Sequence, residues 1–293
     1  MNNKIKTMLF LVVYPLYKLK YERLKPEFPK VKNTFETIRL LIDSHKSLAR
    51  FGDGEFNIIA GGGIGFQNPN KKLAIELRRV LESNDDECLI GISDVFSGLS
   101  RFRIDAKCFW LYSIVSKWHI WKEFLTKSEY VDTLCSRFYM DYASKDDAPK
   151  IVKLWKELWD NRDIVIVEGI HTKMGVGNDL FSNCKSIRRI ICPSKDAFSS
   201  YEEILNECKK ISPKCLILIA LGPTASILAY DLSKFGFQAI DTGHIDLEYS
   251  WMVNKCHNKE AIEGRYVNEI SSNKHLGNFF NKEYEQQIVC KID

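Results

Sequence analysis

The stretch CLILIALGPTAS, residues 215–226, runs from a continuous apolar segment straight into Gly222, Pro223 and a string of small residues. An apolar run of this kind, closed by glycine and proline, reads as a strand buried on both faces that feeds a helix. Three further runs repeat the pattern: DIVIVEG (163–169), IRRIICP (187–193) and QAIDTG (238–243). Helical periodicity separates them over 201–211 and 224–235, and a loop with a short helix is expected after residue 169. Buried strands alternating with helices predict a Rossmann-like parallel sheet with helices on both faces, in the α/β class.

Upstream the alternation continues. Residues 34–44 carry apolar side chains at helical spacing behind an Asn-Thr start that can cap, and a short strand then delivers RFGDGEF (50–56). The cluster Gly61, Gly62, Gly63 and Gly65 precedes a helix over 71–81 and a strand over 88–93. Residues 101–160 differ in texture, with Trp110, Trp118, Trp121, Trp155 and Trp159 among many Lys and Tyr, and read as an inserted helical region. These aromatics either pack the insertion onto the sheet or line an acceptor site. With no linker, repeat or low-complexity tract in view, residues 34–293 are expected to form one domain behind an N-terminal segment, 1–33.

The composition, 45% hydrophobic and 27% charged, is that of a folded globular chain. A net charge of +4, with acids and bases interleaved, excludes a strongly basic nucleic-acid footprint. The exception is the stretch 18–32, which holds Lys18, Lys20, Arg23, Lys25, Lys30 and Lys32 behind the apolar run 8–17. That run is shorter than the ~20 residues that span a bilayer, and no small-residue cleavage site follows it. A packed terminal helix and a peripheral contact with an anionic membrane face both fit it. Nine scattered cysteines without a CxxC suit reduced thiols in the cytoplasm, at the inner face of the membrane if that contact is made.

Open parallel sheets bind ligands at the carboxyl ends of their strands, and the polar residues gather there. After the strand at 163–169, Gly175 and Gly177 allow close backbone approach to a phosphate or ribose, and Asn178 and Asp179 can cap a following helix. After the next strand, Ser194 and Lys195 are placed to meet a phosphate or a base edge. Gly222, Pro223 and Thr224 build a helix N-terminus whose dipole suits an anion. His244, Asp246 and Glu248 stand at alternate positions, so an extended segment would turn all three to one cleft, for metal binding or proton transfer. Asp53 and Glu55 flank Gly54, whose freedom would let both carboxylates turn to one point and hold Mg²⁺ or Mn²⁺. GxGxxG and GxxxxGK[ST] are absent, which disfavours hydride transfer on a nicotinamide and a P-loop kinase.

Taken together, RFGDGEF, VEGIHTKMGVGNDLF, IICPSKDAFSSYEEIL and ALGPTASILAYDLSKFGFQAIDTGHIDLEY resemble the GT-D fold glycosyltransferases, which include glucosyltransferases that elongate the glycans of serine-rich repeat adhesins. The likeness runs from about residue 50 to 251 and is densest after 163; Lys173 stands where an arginine is common in the family. The resemblance implies a UDP-sugar donor, UDP-glucose first, a glycan acceptor, and a DXE metal motif on Asp53 and Glu55 for Mn²⁺ or Mg²⁺. Under it, His244 would be a further ligand, and Arg50, Gly175, Gly177, Asn178, Asp179, Ser194, Lys195, Gly222 and Thr224 would receive the nucleotide sugar. An inverting enzyme would use Asp246 or Glu248 as general base; a retaining one needs none there. The rival readings are a metal-dependent phosphohydrolase and a non-catalytic nucleotide-sugar or glycan-binding partner.

Overall fold

The computed structural model describes residues 3–265, 267 and 281–293, with the backbone alone for 3–11. Among the described residues nine strands form one parallel sheet in the order β1-β4-β3-β2-β8-β7-β5-β6-β9. Its centre is β2 (Ser47–Phe51), β8 (Gln238–Asp241), β7 (Leu216–Ala220), β5 (Asp163–Gly169) and β6 (Ser186–Cys192). On the β2 side lie β3 (Cys88–Ile92), β4 (Glu129–Asp132) and the edge strand β1 (Lys30–Val31); β9 (Ile288–Lys291) closes the other edge. Alternate residues of one strand enter opposite cores: Leu216 and Leu218 of β7 belong to one cluster, Ile217 and Ile219 to the other. Burial on both faces is why these strands read as unbroken apolar runs.

The helices follow the periodicity closely. α2 (Thr34–Ser44) starts at Asn33, whose side chain accepts from the Glu36 N–H while Glu36 accepts from the Asn33 N–H. α3 (Asp53–Ile59) follows β2 directly, α4 is Lys71–Glu82 and α7 is Tyr201–Lys209. α8 (Pro223–Ser233) is buried on nearly every side against the centre of the sheet, which explains its lack of a polar face. α1 (Asn3–Leu24) packs on α5 (Ile104–Trp121), and the Tyr21 hydroxyl donates to the Val95 carbonyl at 2.8 Å. α6 is Ala148–Leu158, α9 is Ile245–Val253 and α10 is Lys282–Gln287.

Three expectations are corrected. The region 101–160 is not helical throughout: Glu129–Asp132 is a sheet strand, with Gly91 and Ile92 of β3 opposite Val131 and Asp132. Its short run EYVD sits among aromatics that mask a strand signal. No helix follows Gly175 and Gly177, because the Asn178 side chain accepts from the Leu180 N–H and Asp179 accepts from the Tyr249 hydroxyl. His244 to Glu248 is not extended; it is the start of α9. Among the described residues no helix is long and apolar enough to cross a membrane.

Candidate functional site

Above the carboxyl ends of β2, β3, β5, β7 and β8 opens a cleft of about 570 Å³, within the usual range for a small-molecule site. Its floor is acidic. Asp53 and Glu55 reach it from the first turn of α3, and Asp241 from the last position of β8, beside β2. Glu55 accepts the Gly52 N–H at 2.8 Å, closing the helix start on itself. Burial raises its pKa from the ordinary carboxylate range to about 7, with the charges of Asp241 and Asp53 adding to the rise. Burial likewise raises Asp241, against the pull of Arg50. Gly54 does not take a left-handed conformation, so the two acids meet the cleft through the helix turn and not through glycine freedom.

Arg50 lines the cleft but its guanidinium is engaged, donating to the Thr133 carbonyl at 3.0 Å, to the Ser136 hydroxyl, and to Asp241 at 3.2 Å. Gly243 makes this possible: at φ +51° a Cβ there would lie 2.2 Å from an Arg50 nitrogen. Gly222, at φ +54°, is a second such position, since a Cβ would strike the Phe66 ring at 2.5 Å. Phe66 itself is held by Asp196, whose N–H donates to the Phe66 carbonyl at 3.0 Å and whose carboxylate accepts from Gln67 and Asn68. The glycine cluster before α4 therefore ends in a loop clamped over the start of α8.

Ser194, Gly222 and His244 complete the expected residues that face the cleft. Lys195 is exposed and outside its lining, and Thr224 is buried in α8 with no hydrogen-bond partner for its hydroxyl. The loop of Gly175, Gly177, Asn178 and Asp179 lies away from it. The Met174 N–H donates to Glu168 at 2.6 Å and the Gly175 N–H to Asp246 at 3.2 Å, while the Asn178 side chain donates to Ser250. Gly175, at φ +75°, is required by Phe181, whose ring a Cβ would meet at 2.4 Å.

Asp246 and Glu248, the expected bases, do not line this cleft. On α9 the two side chains take different partners. Asp246 is paired with buried Arg265 at 2.6 Å, and Glu248 accepts the Tyr139 and Met140 N–H groups, each at 2.8 Å. Among the described residues no three His, Cys, Asp or Glu side chains group as a metal site, so Asp53, Glu55 and His244 share the cleft without forming one cluster. Asp241, His171 and Thr172 were missed, though their signal is the one that exposed Ser194: each closes or follows a strand. The acids Asp105 and Asp141 and the aromatics Phe109 and Trp110 form the opposite wall. Only the packing of α5 and the segment after β4 brings these together, so no local pattern announces them.

A family model described as the glycosyltransferase GT-D fold matches residues 48–270. Glycosyltransferase GlyD of Streptococcus pneumoniae serotype 4 (strain ATCC BAA-334 / TIGR4) is 36% identical over 264 residues, 90% of this chain and 32% of that protein. The probable glycosyl transferase Gly of Streptococcus gordonii is 37% identical over 258 residues, 88% of this chain and 38% of that protein. The chain thus spans about a third of the length of the curated relatives it matches. A solved structure described as "the highly conserved domain of unknown function 1792 has a distinct glycosyltransferase fold" is 37% identical with a TM-score of 0.90, covering 94% of this chain and 100% of that one. A glycosyltransferase (DUF1792) from Streptococcus sanguinis gives 35% identity and a TM-score of 0.87, covering 91% and 100%.

Proposed function

Because the chain belongs to the GT-D-fold glycosyltransferase family, we propose that it transfers a hexose, glucose first, from a UDP-sugar to a hydroxyl of a glycan acceptor in bacterial glycoprotein or surface-polysaccharide synthesis. The observation that carries this reading is that Asp53, Glu55 and Asp241 all line the floor of one cleft. Three acids share that floor, the neighbouring cation Arg50 is engaged by Asp241, and burial, with the charges of Asp241 and Asp53 adding to it, raises the Glu55 carboxyl to about 7. Such a site fits a divalent ion held by two carboxylates, with the remaining positions left to water and diphosphate oxygens.

Asp53 and Glu55 would hold Mn²⁺ or Mg²⁺. Bound there, the ion would offset the negative charge that builds on the departing diphosphate. Arg50 fixes the position of Asp241 and so shapes the floor. The Gly222 turn and Ser194 line the donor side beside the start of α8, and His244 faces the same space. On the opposite wall, half-exposed Phe109 and the neighbouring Trp110 offer an apolar platform to an acceptor sugar. If configuration is inverted, Asp105 or Asp141 on that wall is the carboxylate within the cleft to take the acceptor proton. The work would be done in the cytoplasm, where all nine cysteines, unpaired in the fold, stay reduced.

The test is incubation with a panel of nucleotide sugars and Mn²⁺, following nucleoside diphosphate release with and without a glycan acceptor. Metal-dependent UDP release that rises with acceptor is the expected result. Phosphate release from simple esters would support a hydrolase instead, and saturable UDP-sugar binding without turnover would support a binding module.

A further inference from the structure

We infer that the outward face of α1 is a docking surface for an anionic membrane. The helix has two unlike sides. Tyr14, Tyr17, Tyr21 and Leu24, at helical spacing, face the domain and pack on its core. The opposite side carries Val12, Leu16 and Leu19, four and then three residues apart and therefore on one stripe, flanked by Val13. These side chains are 79%, 54%, 51% and 40% exposed, in that order. Core packing does not explain them, since the core side of the helix is already occupied.

Charge decides the occupant. Residues 1–25 contain Lys4, Lys6, Lys18, Lys20, Arg23 and Lys25 against the single acid Glu22, which exceeds the net +4 of the whole chain. Lys18, Lys20 and Arg23 are exposed beside the apolar stripe, and Arg23 continues it by one helical turn. A second copy of the chain is a poor fit, because a two-fold contact would set this basic flank against itself. An apolar stripe edged with lysine and arginine suits a helix lying in the headgroup region of an anionic bilayer, with its long basic side chains reaching the phosphates. Tyr17 stacks on Tyr112 of α5 at 5.8 Å, and Phe109, one turn earlier on α5, lines the cleft. The docking helix and the acceptor wall thus share one supporting helix. Docking through α1 requires neither the donor nor the metal.

The experiment is sedimentation of the whole chain with vesicles of phosphatidylcholine containing phosphatidylglycerol, compared with phosphatidylcholine alone. Binding to the anionic vesicles only, weakening as salt is raised, is expected. Val12→Ser with Leu16→Ser and Leu19→Ser should raise the lipid concentration for half-binding at least ~10-fold. Lys18→Gln with Lys20→Gln and Arg23→Gln should raise it about fivefold for each charge removed. All six positions are exposed, so the far-ultraviolet circular dichroism and thermal midpoint should hold; should the apolar variant misfold, the charge variant and the salt series carry the test. Wild-type protein left in the supernatant with anionic vesicles, or an apolar variant bound like wild type, overturns the proposal. So does a concentration-dependent dimer that the apolar variant abolishes while vesicle binding is absent.

Discussion

The molecule contains two groups of carboxylates near the ends of its central strands, and they are built to opposite purposes. Around the loop after β5, each acid has its counterpart: Glu168 with Arg189 at 2.6 Å, Asp246 with Arg265 at 2.6 Å, and Glu248 with two backbone N–H groups. At the ends of β2 and β8, Asp53, Glu55 and Asp241 share the neighbourhood of an arginine already engaged by Asp241 and two uncharged oxygens. The first group locks a glycine loop and α9 to the sheet. The second leaves negative charge facing a cleft. Burial raises the carboxyls of Glu168, Glu248, Glu55 and Asp241 alike, so the difference lies in their partners: the first group is matched by Arg189, Arg265 and backbone N–H groups, while the second shares one arginine at the edge of a cleft.

That contrast can be broken by substitution. The largest effect is expected from Asp53→Asn or Glu55→Gln, each lowering acceptor-dependent UDP release by at least ~100-fold with an unchanged thermal midpoint. Wild-type turnover in both would remove the acidic floor from the chemistry. Asp246→Asn should do the reverse, costing ~3–5 kcal/mol of stability by leaving Arg265 buried and uncompensated, while folded protein keeps its turnover. A chemical-denaturation midpoint that does not move, together with lost turnover, would return Asp246 to the role of base. Gly222→Ala should be milder, at ~1–3 kcal/mol of backbone strain, and should displace Phe66, raising the KM for the donor more than it lowers kcat.

The smallest effect is in pH. In metal-free protein the Glu55 carboxyl is raised to about 7, so the folded state holds its proton more tightly than the unfolded chain does. Its contribution to stability is therefore highest below the ordinary glutamate range and falls as pH climbs toward 7. Differential scanning should show Mn²⁺ raising the melting temperature more at pH 8 than at pH 6, and Glu55→Gln should flatten that difference. An equal rise at both pH values in wild type would separate Glu55 from the metal.

Much of this architecture was legible in one dimension. The runs at 163–169 and 238–243 became β5 and β8, and 34–44 became α2 with its Asn33 cap, because burial on two faces and helical periodicity write themselves into consecutive residues. β4 was hidden because four residues, EYVD, are too short to show a period among flanking aromatics. A local motif singles out Asp53 and Glu55, and both line the cleft. The extended segment expected for His244 to Glu248 is helical instead, because alternation in the sequence is the same in either conformation.

Residue order alone carried the strand-and-helix alternation, the parallel class and the acidic pair, since each depends on neighbours a few positions apart. Which acids remain short of positive charge was settled by contacts across great distances in the chain: Arg50 with Asp241, Asp246 with Arg265, and Glu248 with the turn at Tyr139 and Met140. Electrostatic demand belongs to the folded neighbourhood, because burial and the nearest opposite charge set it, and neither is a property of any short stretch.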